Sequence, residues 1–148
     1  MRLHKDLREF IGLLNSHGVE AVIVGGYALA FHGYPRYTGD FDILVRTSAE
    51  NAARLERAIV AFGFASLGLG ASDFLEPDRV IQLGLPPHRI DLLTSITGVG
   101  FEEAWAEREP ADLDGLPVFF IGRAAFLKNK RATGRAQDLA DLERLDGQ

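Results

Sequence analysis

The runs Ala21-Val-Ile-Val-Gly-Gly26 and Asp40-Phe-Asp-Ile-Leu-Val45, with thirteen residues between them, set the architecture. The first is a short apolar run ended by two glycines, the pattern of a buried strand that turns at its end. Tyr27 to His32 then reads as a short helix, stopped by Gly33 and Pro35, and Tyr34 to Gly39 as a loop. In the second run the acids alternate with Phe41 and Ile43. On a strand, alternation sends Asp40 and Asp42 to one face, roughly 6–7 Å apart, and the apolar pair to the other. Both acids stand at the start of the strand.

Working outward, Leu3, Leu7, Phe10, Ile11 and Leu14 fall at helical spacing before Gly18. Thr47 and Glu50 have the spacing of a capping box and predict a helix to about Phe62. Val80 to Leu83 and Arg89 to Leu93 are strand candidates, and the Pro86-Pro87 turn between them predicts a hairpin. Phe101 to Arg108 reads as a helix and Val118 to Ile121 as a last, edge strand. A final helical segment covers 123–145, with an interruption at Gly134. Helices alternating with short strands predict one α/β (α+β) domain over residues 1–148, a twisted mixed sheet backed by helices.

Composition narrows the chemistry. The 148 residues carry 16 Lys and Arg against 21 Asp and Glu, a formal charge of −5, with 47% hydrophobic and 25% charged residues. That is a globular balance, and its sign argues against a protein that coats nucleic acid through a general positive field. With no cysteine, disulfide scaffolds, thiolate metal sites and cysteine nucleophiles are excluded. No apolar run approaches a membrane span, and Met1 to Glu9 mixes charges where a signal peptide needs an apolar centre. The expectation is a cytoplasmic protein without membrane contact.

Asp91 lies in Arg89-Ile-Asp-Leu-Leu93, an acid inside a core-like run. Such an acid is costly unless it is paired or metal-bound. A salt bridge to Arg89 is the plain alternative. If the Asp91 strand lies beside the Asp40 strand, three carboxylates converge, the oxygen-rich set that suits magnesium. Two such ions would activate an attacking oxygen and stabilise a leaving pyrophosphate. Gly25-Gly26 offers either ordinary turn chemistry or room for a phosphate against backbone N–H groups.

Val24-Gly-Gly26 followed by Asp40-Phe-Asp-Ile43 resembles the signature of the polymerase-beta-like nucleotidyltransferase superfamily, with Asp91 standing where that family carries its third metal acid. Residues 80–93 and Asn129-Lys-Arg-Ala-Thr-Gly-Arg-Ala-Gln-Asp-Leu-Ala-Asp-Leu142 look like a branch of small bacterial members. The ending is also similar to nucleotidyltransferase toxins of abortive-infection and toxin–antitoxin systems. The resemblance implies the fold of that superfamily, with its core signature in 21–45 and 80–96. It implies transfer of a nucleoside monophosphate from a nucleoside triphosphate such as ATP to an acceptor hydroxyl on an RNA end (a tRNA), a protein or a small molecule, and an antitoxin protein as partner. Asp40, Asp42 and Asp91 would bind two magnesium ions, and Asp91 would also help deprotonate the acceptor. Gly25, Gly26, Arg36 and Thr38 would meet the nucleotide phosphates. Lys130 would face the phosphates or acceptor, while Asp138 and Asp141 brace Lys130 and Arg135.

Other features stay open. Arg123, Lys128, Lys130, Arg131 and Arg135 form a basic stretch that is either a solvated helix face or a phosphate-facing strip. The four histidines show no zinc-ligand spacing. Two rivals remain beside the transferase. One is a non-catalytic nucleotide-binding or regulatory module of the same fold. The other is an aspartate-nucleophile phosphatase, disfavoured by Leu44 where that chemistry wants Thr or Val.

Overall fold

A computed structural model of the chain describes residues 3–34, 39–85 and 87–146. Helix α1 (Lys5–Ser16) buries Leu7, Phe10, Ile11 and Leu14 along one stripe and ends at Gly18, whose φ is +69°. Strand β1 (Ala21–Val24) runs directly into α2 (Gly25–Phe31), and β2 (Asp40–Val45) follows. Helix α3 (Ala49–Ala61) begins one residue later than a Thr47 cap predicts. Ser48 is the cap, and its Oγ accepts the Asn51 N–H at 3.2 Å. Asn51 is itself buried. It donates to the Glu20 and Arg46 carbonyls and accepts the Glu20 N–H, tying the start of α3 to the entrance of β1.

Two 3-10 turns (Ala65–Leu67 and Ala71–Phe74) lead to the hairpin of β3 (Val80–Leu83) and β4 (Arg89–Leu93). After α4 (Phe101–Ala106) come β5 (Glu109–Leu113), β6 (Leu116–Phe120), α5 (Arg123–Thr133) and α6 (Ala136–Asp146). Gly134, at φ +65°, separates the last two helices where the interruption was expected. The strand order is β3-β4-β2-β1-β6-β5, with β2 parallel to β4, β1 parallel to β6 and the other pairings antiparallel. The predicted edge strand is therefore interior. Strand β5 covers it, joined through Asp114 and Gly115, both at positive φ.

Phe41, Ile43 and Val45 are buried on one face of the sheet. Tyr27 of α2 meets Phe41 edge-on at 5.2 Å, and Phe31 stacks on Phe120 at 4.2 Å. One hydrophobic cluster runs from α1 through the central strands to α5. The opposite face carries Asp40 and Asp42, and residues of α5 share a cleft with Asp42. No helix among the described residues is long and apolar enough to cross a membrane.

Candidate functional site

Parallel pairing of β2 with β4 places Asp40 opposite Arg89 and Asp42 opposite Asp91. Alternation then gathers all four side chains on one face of the sheet. The result is a square with three carboxylates and one guanidinium at its corners. Arg89 Nη2 donates to Asp40 Oδ2 at 2.9 Å and to Asp91 Oδ2 at 3.3 Å, and its Nε donates to Asp91 Oδ1 at 2.9 Å. Both sequence alternatives for Asp91 thus coexist: it is paired with Arg89 and it stands beside the other acids.

The square is electrostatically uneven. Burial, the neighbouring Asp91 charge and a hydrogen bond to Asp91 push Asp42 from 3.8 up to about 7, the Asp40 charge adds to this, and Arg89 pulls the other way. Hydrogen bonding to Asp91, against some desolvation, and the charges of Asp91, Asp40 and Asp42 hold the Arg89 guanidinium above its ordinary range. Arg89 thus engages Asp91 with its fork and Asp40 with a single bond, and Asp42 is the acid that its neighbours and burial disfavour as a carboxylate.

Gly25 explains how Asp42 is seated. A Cβ at Gly25 would lie 2.2 Å from Asp42 Oδ2, and its φ is +70°. The missing side chain is the space that the Asp42 carboxylate occupies. Gly26 follows it in the first turn of α2.

Val24, Gly25 and Asp42 form one wall of a cleft of about 480 Å³, and Asn129, Thr133 and Arg135 form the facing one. Helix α5 is held there by close packing: a Cβ at Gly98 would come within 2.4 Å of Ala132 Cβ, and Asn129 Nδ2 donates to Thr97 O at 2.8 Å. The Arg135 side chain is 76% exposed, and Asp138 anchors its Nε at 2.7 Å.

With this geometry the molecule compares as follows. No family model matches the chain. An aminomethyltransferase of Pseudomonas syringae pv. tomato is 32% identical over 107 residues, which is 72% of this chain and 27% of that protein. The chain thus spans about a quarter of the length of the curated relative it matches. Among solved structures, a presumed nucleotidyltransferase of Thermotoga maritima superposes with a TM-score of 0.58 at 17% identity, over 96% of this chain and 91% of that one. An antigenic nucleotidyltransferase-like protein of Paracoccidioides brasiliensis gives 0.54 at 14%, over 95% and 74%. The chain has the nucleotidyltransferase fold.

On that fold the expected site residues separate into groups. Asp40, Asp42, Asp91 and Gly25 come together as described. Arg36 and Thr38 lie outside the described residues. Lys130 is placed differently from the expectation that it faces phosphates or acceptor. Its ammonium is buried between α5 and α6, at 3.1 Å from Asp138 Oδ1 and 3.0 Å from Asp141 Oδ2, and 4.9 Å from the Phe126 ring centre. Lys130 does not line the cleft. The bracing acids are where they were expected, though what they brace is the packing of two helices. Although burial opposes it, hydrogen bonds from Thr133, Arg135 and Lys130 bring Asp138 down to about 2.

Nor is the basic stretch one strip. Arg123 donates to the Leu145 carbonyl, Lys128 pairs with Glu103, Lys130 is buried, and Arg135 pairs with Asp138. Sequence reasoning gave Arg89 only a salt-bridging role and overlooked Asn129 and Thr133 as cleft residues. The signal for Arg89 was available, since it precedes Asp91 by two residues and so shares its face.

Among the described residues no group of three or more His, Asp or Glu side chains is arranged to hold a metal ion. Asp40 and Asp91 are both turned to Arg89, and Asp42 shares a hydrogen bond with Asp91. The donor chemistry nevertheless fits a hard divalent cation. It consists of carboxylate oxygens, and it includes a like-charge pair whose repulsion a cation relieves.

Proposed function

We propose that the chain is a magnesium-dependent nucleotidyltransferase that moves a nucleoside monophosphate from a nucleoside triphosphate to an acceptor hydroxyl. The observation that carries this reading is the Asp42–Asp91 pair, of which Asp42 lines a cleft at a glycine junction that leaves room for its carboxylate. Asp42 and Asp91, with Asp40 beside them, would hold magnesium, which when bound polarises the phosphates and the acceptor oxygen. In the transfer the acceptor oxygen bonds to the α-phosphorus and the α–β bridging bond breaks. Pyrophosphate leaves, and the hydroxyl proton passes to an Asp91 carboxylate oxygen. Asn129, Thr133 and the exposed guanidinium of Arg135 line the cleft where the nucleotide would lie. Gly26, Arg36 and Thr38 belong to the phosphate side of this proposal through the sequence resemblance.

An RNA end, a protein side chain and a small molecule are the acceptor classes in view, and a toxin–antitoxin role rests on the sequence of the last helix. Aminomethyl transfer, named for the Pseudomonas syringae protein, is not adopted, because only 27% of that protein is matched. Pyrophosphate release from each of the four triphosphates with magnesium tests the proposal. Activity with at least one triphosphate, lost in Asp42→Asn, is expected. Nucleotide binding without turnover in the presence of each acceptor class would favour the non-catalytic module instead.

A further inference from the structure

Lys130 is taken up by the packing of α5 on α6, so the cleft that Asp42 lines lacks the lysine expected to face phosphates. Of the described residues around that cleft, Asp42 is the one acid and Arg135 the one base. Arg135 stands between α5 and α6 and is held at two points. Its carbonyl accepts the Leu139 N–H at 2.9 Å in the first turn of α6, and its Nε donates to Asp138 Oδ2 at 2.7 Å. The anchor is itself fixed. Asp138 Oδ2 also accepts the Thr133 hydroxyl at 2.6 Å, its Oδ1 accepts Lys130 Nζ at 3.1 Å, and its side chain is 8% exposed. This grip reaches Nε alone. Among the described residues nothing accepts a hydrogen bond from either Nη of Arg135, whose side chain is 76% exposed.

We propose that Arg135 is the phosphate-binding residue of the cleft, a guanidinium fork for the triphosphate of the nucleotide in place of the expected lysine. This inference rests on the transferase reading just given and names the group that meets the phosphates. A guanidinium held at Nε keeps its two terminal nitrogens in one plane, and their parallel N–H bonds match two oxygens of a phosphate. A long exposed side chain loses rotamer freedom when it binds, and the Asp138 anchor removes part of that cost in advance. Because Asp138 is buried against Lys130 and Thr133, the fork has a rigid base although its tip is in solvent.

Inorganic triphosphate with magnesium is the probe, because it offers phosphate oxygens without base or sugar. Its dissociation constant is read by isothermal titration calorimetry at one salt concentration. Arg135→Gln is expected to weaken binding about tenfold or more while keeping the wild-type melting temperature, since the side chain is exposed. Lys128→Gln removes a cation that pairs with Glu103 away from the cleft, and it is expected to match the wild type. Equal affinities for the wild type and Arg135→Gln would overturn the proposal and leave the transferase reading standing. So would an equal loss in Arg135→Gln and Lys128→Gln, which would mark a general effect of charge. If Arg135→Gln does not fold, Arg135→Lys decides: a loss of affinity supports the fork, and wild-type affinity overturns it. A wild type that binds a nucleoside triphosphate but not inorganic triphosphate overturns the proposal alone, because the affinity then lies in the base and sugar. A wild type that binds neither inorganic triphosphate nor any of the four nucleoside triphosphates overturns the proposal together with the reading beneath it.

Discussion

Asp42 keeps its proton to about pH 7 in the folded chain, whereas its ordinary value is 3.8. Between these two values the native state holds a proton that the unfolded chain releases, so stability falls as pH rises through the window. The contribution is fully present below about pH 4 and is lost above about pH 7. Without metal, the wild type is therefore expected to lose melting temperature relative to Asp42→Asn between pH 5 and 8. At pH 8 Asp42→Asn gains about 0.5–2 kcal/mol over the wild type. Parallel melting curves across that range would show that Asp42 carries no such proton. The alternation of Asp40 and Asp42 with Phe41 and Ile43 made this face legible from sequence, because period two is a local property. Lys130 was not legible in the same way. Its burial depends on α6 folding back at Gly134 to bring Asp138 and Asp141 against it. Removing one partner from a buried ion group costs about 3–5 kcal/mol, whereas an exposed pair is worth about 0–1 kcal/mol. Lys130→Ala should unfold at much lower urea than Lys128→Ala, whose ammonium meets Glu103 at the surface. Equal midpoints would remove Lys130 from the structural triad.

At the scale of elements, the junction of β1 with α2 and the interior of α1 make opposite demands on glycine. Gly12 lies inside α1, and a methyl added there would meet nothing within 4 Å, so Gly12→Ala is expected to stabilise by about 0.5–1 kcal/mol. Gly25→Ala places the same methyl 2.2 Å from Asp42 Oδ2 at a φ of +70°. It should destabilise by about 1 kcal/mol or more and weaken Mn²⁺ binding, because Asp42 must move. Thermal melts and a Mn²⁺ titration of the two variants check the pair, and the same sign in both would refute the account of Gly25. The β5–β6 hairpin shows what a sequence hides. Asp114-Gly115 is a strong two-residue hairpin signal, and both residues adopt positive φ. The strand before it, Glu109-Pro-Ala-Asp-Leu113, lacks β-branched residues and carries a proline, which an edge strand tolerates. A segment of such weak strand propensity goes unread, and β6 then reads as the edge in place of β5.

Across the whole molecule, the order β3-β4-β2-β1-β6-β5 does what no single segment foretells: it sets β2 against β4 with Asp42 beside Asp91. Local patterns located most strands and helices, yet pairing partners are long-range choices fixed by which faces bury together. The same assembly brings Asn129 and Thr133 of α5 to the cleft that Asp42 lines, so that nucleotide and metal would enter one cleft between two parts of the chain. Neither is expected to bind well alone. The triphosphate meets like-charged carboxylates, and the cation lacks the phosphate oxygens that would complete its coordination. Because a ligand stabilises the native state according to its occupancy, two ligands that raise each other's affinity stabilise by more than their separate effects. Magnesium with a nucleoside triphosphate should therefore raise the melting temperature beyond the sum of the two shifts measured singly. Asp42→Asn should reduce the combined shift to that sum. A triphosphate that stabilises equally with magnesium and with a chelator would mean that phosphate recognition is independent of the acids, and would transfer the argument to the non-catalytic module.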